Sequence, residues 1–221
     1  MTDLLFLLCL IIPIIASVNV SSTYKKMKKF NSVSGKTGFE VAREMLDRNG
    51  LSNIYVVETP GELTDHYDSR RQTIRLSTDV FHGTSIASLS VAAHECGHAI
   101  QDKEEYGWMT IRKIMAPVVN LVNKLGYIIL IIALIFEAFD FIYIGILLVG
   151  FALVFQVVTL PVEFDASNRA KKYLYDNGIV NDAEKNDVAK MLGAAALTYV
   201  AGVITSVLDL IRILMIFNRR D

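Results

Sequence analysis

His94-Glu95-Cys96-Gly97-His98 is the stretch on which the reading of this chain turns. On a helix, residues four apart share a face, so His94 and His98 can aim both imidazoles at one metal ion. Glu95 lies one position round from His94, close enough to serve a metal-activated water as general base without being a ligand itself. Gly97 leaves room above the metal, and Cys96 points to the other side as a small buried thiol. The pattern is that of a zinc hydrolase. The run before it, residues 85–93, is built from serine, alanine and larger apolar residues. That composition suits a helix packed against neighbours on most sides, and such a helix holds its ligands still.

Composition places the site at a membrane. The chain is 52% hydrophobic with a mean hydropathy of +0.40, and the apolar residues are gathered into runs rather than spread. Residues 4–20 are uncharged and about long enough to cross a bilayer, and residues 141–160 form a second clean candidate. Residues 127–136 span only by borrowing residues 121–125, with the amine of Lys124 reaching back to the headgroups. The last run, residues 192–217, carries Asp209 and Arg212, which at i and i+3 can pair with each other. Its Ala194, Thr198, Gly202 and Ser206 form a small-residue stripe suited to close helix packing.

Charge gives the orientation. Met1-Thr2-Asp3 is no basic leader, so the first run reads as an anchor and not as a cleavable signal. The lysines Lys25, Lys26, Lys28 and Lys29 follow it, which puts the N-terminus outside and the loop with the zinc motif in the cytoplasm. Residues 125–168 contain no lysine or arginine, and the turn between the middle spans carries Glu137 and Asp140, as an external tip should. The chain returns to the cytoplasm near Pro161. Arg219 and Arg220 run against a fourth complete crossing, which leaves the final run as a full or a partial span. The net charge of −1 argues against nucleic acid as a partner, and the lysine cluster reads as a topology and anionic-lipid signal. Cys9 and Cys96 give no disulfide framework.

The expected fold class is a mainly α membrane protein: three to four hydrophobic helices plus a small α+β zincin-like cytoplasmic domain with a short strand pair. Its expected parts are an N-terminal transmembrane helix (1–23), the catalytic domain (24–113), a transmembrane hairpin (114–160), a cytoplasmic segment (161–190) and a C-terminal hydrophobic helix (191–221). Within the soluble part, residues 38–49 have the apolar spacing of an amphipathic helix closed by Gly50. Residues 54–57 read as a strand ended by Pro60-Gly61, and residues 68–71 as a turn. Residues 72–77 alternate, with Ile74 and Leu76 on one face.

Catalytic zinc needs a third protein ligand. Glu104 stands where a metzincin-like site would place one, but those sites turn on a glycine where this chain has Gln101. Glu137 and Asp140 fall on the far side of the membrane. Glu163 follows the third span on the side of the histidines, and a helix started by Pro161 would aim it from the first turn. For the oxyanion, His66, Tyr67 and Arg169 are candidates, each with an ordinary structural role to hand; His82 reads as a cap or core residue.

Residues 61–68, the strand ending Arg75-Leu76-Ser77, residues 85–101 and residues 160–170 together resemble the YugP-type membrane-bound neutral zinc metallopeptidases of bacteria, over nearly the whole chain. That family is gluzincin-like and distantly similar to the HtpX and CAAX-prenyl-protease group, where membrane spans separate the zinc motif from a downstream glutamate. The resemblance implies Zn2+ held by His94, His98 and Glu163, Glu95 as general base, and a peptide or protein substrate, membrane proteins included. It also implies an extended substrate on the strand edge at residues 72–77. The HtpX-like group has an aspartate four residues after the ligand glutamate; here that position is Ser167, leaving Asp165 or a water to orient a ligand histidine. A zinc-binding membrane scaffold without catalysis is the alternative, with nothing to favour it while Glu95 is intact. A metal transporter would want ionisable ligands inside the spans, and the middle pair offers almost none.

Overall fold

The computed structural model describes residues 2–135 and 140–217. Among the described residues, seven helices and three strands follow one another as α1 (Thr2–Met27), α2 (Gly38–Arg48), β1 (Tyr55–Thr59), β2 (His66–Asp68), β3 (Thr73–Ser77), α3 (Thr78–His82), α4 (Ile86–Lys103), α5 (Gly107–Ile135), α6 (Asp140–Asp176) and α7 (Asp182–Phe217). This is a mainly α membrane protein with a small α+β part. The expected hairpin tip at Glu137, the terminal Arg219 and Arg220, and the side chain of Lys124 lie outside the described residues.

The chain divides into two units. The first comprises Met1–Ser17, Gly107–Pro161 and Thr198–Asp221. α1, α6 and α7 are each long and apolar enough to cross a membrane. On α1, Leu4, Ile14, Ile15 and Val18 are each about 60% exposed, a surface that only lipid would cover at little cost. Asp209 and Arg212 do pair within α7, at 2.6 Å, and the guanidinium also lies over the ring of Phe6. A cavity of about 660 Å3 opens beside them, lined among others by Gln156, Thr205 and Gly202. It offers one acid, Asp209, already paired, and hence no metal donor set.

The second unit comprises Val18–Tyr106 and Val162–Leu197. Its core joins Val41, Met45 and Leu46 of α2, Ile74 and Leu76 of β3, Leu89, Ala93 and Cys96 of α4, Leu174 of α6 and Met191 of α7. Each fully buried large aliphatic side chain contributes about 1.5–3 kcal/mol. α2 forms where its spacing predicts, and a capping box fixes its start: Thr37 accepts from the Glu40 amide while the Glu40 carboxylate accepts from the Thr37 amide.

Two expectations need correction. The sheet has three strands in the order β1-β3-β2, with β1 parallel and β2 antiparallel to β3. The strand pair was therefore one short, and residues 72–77 form the central strand. Its main chain bonds on both sides, so it cannot be the edge that receives a peptide. The second correction concerns Pro161, which lies inside α6 and does not start a helix. The apolar pattern runs straight through it into the polar half of the helix. A proline inside a long apolar helix is tolerated where neighbouring groups satisfy the carbonyl it frees, and Pro13 in α1 and Pro117 in α5 sit the same way.

Candidate metal centre

α4 carries the motif as a buried helix. Ser85 caps it by accepting from the Ser88 amide, and fourteen of its 18 residues are buried, Glu95, His98 and Gln101 included. The i, i+4 spacing sets the two imidazoles edge to face, with ring centres 4.7 Å apart. Glu163 enters from α6. Its Oε2 lies 3.3 Å from His94 Nε2 and 3.6 Å from His98 Nε2, and its side chain is 2% exposed. Among the described residues, His94, His98 and Glu163 form the one group of three whose donor atoms lie within 4.8 Å of one another. Two neutral imidazole nitrogens and one carboxylate, buried and convergent, fit a catalytic zinc, which takes three protein donors and keeps a fourth position open.

The other nitrogen of each imidazole is held. His94 Nδ1 lies 3.2 Å from Ser167 Oγ, and His98 Nδ1 lies 3.0 Å from Gln101 Oε1. Gln101 Nε2 donates to the Val162 carbonyl and to Asp165 Oδ2, both at 2.8 Å. Arg169 in turn binds Asp165 and Glu104. Thus Glu104 is the outer partner of Arg169 and lies outside the donor group. Asp165 acts on His98 through Gln101, not directly. Ser167, where the HtpX-like pattern has an aspartate, touches His94 itself. Sequence reasoning noticed Gln101 only as a missing glycine, although its place three residues after His98 puts it on the same helix face.

Gly97 has a different use from the expected one. A Cβ there would stand 2.7 Å from the Ala166 carbonyl oxygen, so the glycine admits the backbone of α6 against α4. That approach brings Glu163 within reach. Cys96 faces away as predicted, fully buried with Sγ 3.6 Å from the Ala42 carbonyl, and burial pushes its thiol up.

Glu95 is 8% exposed. Burial raises its carboxyl to about 7, against the pull of His94, and Glu163 and Asp65 add to the rise. The nearby main chain of Tyr67 on β2 pulls the other way, by less. Of the oxyanion candidates, Tyr67 spends its hydroxyl on Asp102 and Gln72, and Arg169 is spent on its two acids. His66 is exposed with Nδ1 against the Thr64 carbonyl. His82 is neither cap nor core: it is exposed and faces Glu58 at 3.3 Å.

Residues 2–218 match the family described as "Putative neutral zinc metallopeptidase". The chain is 44% identical over 207 residues, 93% of its length and 92% of the relative's, to "Putative membrane protease YugP" of Bacillus subtilis (strain 168). No solved structure matches it. With a convergent His-His-Glu group, three helices fit to cross a membrane and a match from end to end, the chain belongs to the neutral zinc metallopeptidase family.

Proposed function

We propose that this protein is a multi-pass peptidase of the bacterial inner membrane that hydrolyses peptide bonds at the cytoplasmic surface, with His94, His98 and Glu163 as zinc ligands and Glu95 as general base. The observation that carries the reading is the meeting of Glu163 with the histidine pair, 65 residues beyond His98 in the chain, with a carboxyl of raised pKa beside it.

Zinc, when bound, supplies Lewis acidity toward a scissile carbonyl and an attacking water. Glu95 takes the proton from that water and delivers it to the departing amine, a double duty that suits a carboxyl near neutrality. Burial is what lifts the carboxyl into that range. An extended substrate pairs with an exposed sheet edge. Since β3 is enclosed, the edges are β1 and β2, and of these β2 is the one whose main chain acts on Glu95. Main-chain pairing of this kind tolerates varied side chains, consistent with a range of peptide or membrane-protein substrates.

The cytoplasmic orientation is supported by the lysines after α1. Glu95→Gln tests the chemistry: it removes the base and no ligand, so zinc content should stay near one per chain while hydrolysis of an unfolded protein substrate falls by several powers of ten. Undiminished hydrolysis in that variant would sink the peptidase reading. A scaffold would bind zinc equally well and show no hydrolysis in the unaltered chain.

A further inference from the structure

We propose that Gln101 is the positioning residue of the metal centre: its buried amide dictates which nitrogen of His98 carries the proton and ties that ligand to the helix that carries Glu163.

Gln101 is wholly buried. Its Nε2 has two partners, the Val162 carbonyl oxygen and Asp165 Oδ2. A carbonyl cannot donate and an ionised carboxylate cannot either, so only the NH2 end of the amide can face them. Flipping the amide would set its oxygen, in a buried place, against two acceptors that cannot donate to it. The oxygen must therefore face His98 Nδ1. An amide oxygen only accepts, so Nδ1 must carry a proton, and Nε2 is the nitrogen turned toward Glu163, 3.6 Å away. Arg169, bound to the same Asp165 oxygen, holds that acceptor in place from the other side.

The two anchors of the amide flank the ligand glutamate: Val162 precedes Glu163 and Asp165 follows it by two. One side chain of α4 thus fastens a histidine of its own helix to the turn of α6 that bears the third donor. His94 has no such instruction. Its Nδ1 meets the hydroxyl of Ser167, which can donate or accept and so accommodates either tautomer. The structure therefore makes an asymmetric statement: His98 is fixed in advance, and His94 is not.

The inference rests on the metal centre and not on the peptidase reading, so its test uses no turnover. Full-length protein in detergent, stripped of metal and labelled with 15N in its four histidines, reports which nitrogens of each ring carry protons through two-bond nitrogen–proton correlations. Signals are assigned with His66→Gln and His82→Gln, two residues outside the centre, and with His94→Gln. In the unaltered protein His98 should show its proton on Nδ1. In Gln101→Met, which keeps the volume and removes the amide, His98 should shift toward the Nε2-protonated form that imidazole prefers in water, with His94 little changed. Zinc affinity, measured by competition with a chromophoric chelator, should fall by about 10- to 100-fold. Asp165→Ala, which removes one anchor, should move both readouts the same way by less. A His98 Nδ1 without a proton in the unaltered protein overturns the proposal, whether or not any variant folds. So does a Gln101→Met protein with tautomer and zinc affinity unchanged.

Discussion

Glu163 and Glu104 are both glutamates within reach of the same helix pair, and burial separates their roles. Glu163 is enclosed with its Oε2 against both histidines, whereas Glu104 is about half exposed and binds Arg169. Glu163→Gln exchanges a charged donor for a neutral amide and should lower zinc content and hydrolysis together. Glu104→Gln should leave both near normal, because an exposed ion pair contributes about 1 kcal/mol or less. Metal analysis of the two purified variants decides it; zinc lost from the second and kept by the first would falsify the ligand assignment. Glu95 gives a second prediction at this scale. In the metal-free protein its carboxyl sits at about 7, above its unfolded value, so the folded state binds the extra proton between the two. Stability then declines as pH rises from about 4.5 to 7, by roughly 3 kcal/mol from this group. Thermal unfolding with a chelator present should show Glu95→Gln gaining on the unaltered protein across that window and level with it in acid. The motif residues were legible because spacing alone puts two histidines on one face. Gln101 and Ser167 were not, since their use depends on a helix that arrives from far along the chain.

At the scale of elements, α4 and α6 meet backbone to backbone at Gly97. Gly97→Ala would push a methyl group to 2.7 Å from the Ala166 carbonyl oxygen. Since the obstacle is main chain, the helices must part, at a cost of about 1–3 kcal/mol. We expect a lowered unfolding temperature and weaker zinc binding although no ligand is altered; calorimetry beside a zinc titration measures both, and a variant with ordinary zinc affinity would show that the contact does not set the ligand spacing. α2 was readable because its apolar spacing, capping residues and closing Gly50 agree. β2 was hidden: three residues are too few for an alternating pattern, and its strand character comes from pairing with β3. With β2 unseen, β3 looked like an edge. Pro161 misled for a similar reason, since a proline starts helices in water but is carried inside long apolar ones.

For the whole molecule, apolar runs predicted the membrane character, and α1, α6 and α7 bear it out as helices fit to span. The orientation awaits labelling. In a background with Cys9 and Cys96 replaced by alanine, a cysteine at Ser34 should react with an impermeant maleimide only after the cytoplasmic face is opened, and one at Ala138 in intact cells. The reverse pattern would invert the topology. The separation of the donor group along the chain has one more consequence, for biogenesis. A nascent chain that has emerged as far as residue 160 possesses two histidines and a base but not the third donor, nor the Val162 and Asp165 that orient Gln101. Translation proceeds at about 5–20 residues per second, so for several seconds the motif is present without its complement. On the proposed function, competence to cut would arise only after α6 has docked against α4, and the insertion machinery would handle the chain before it could cut.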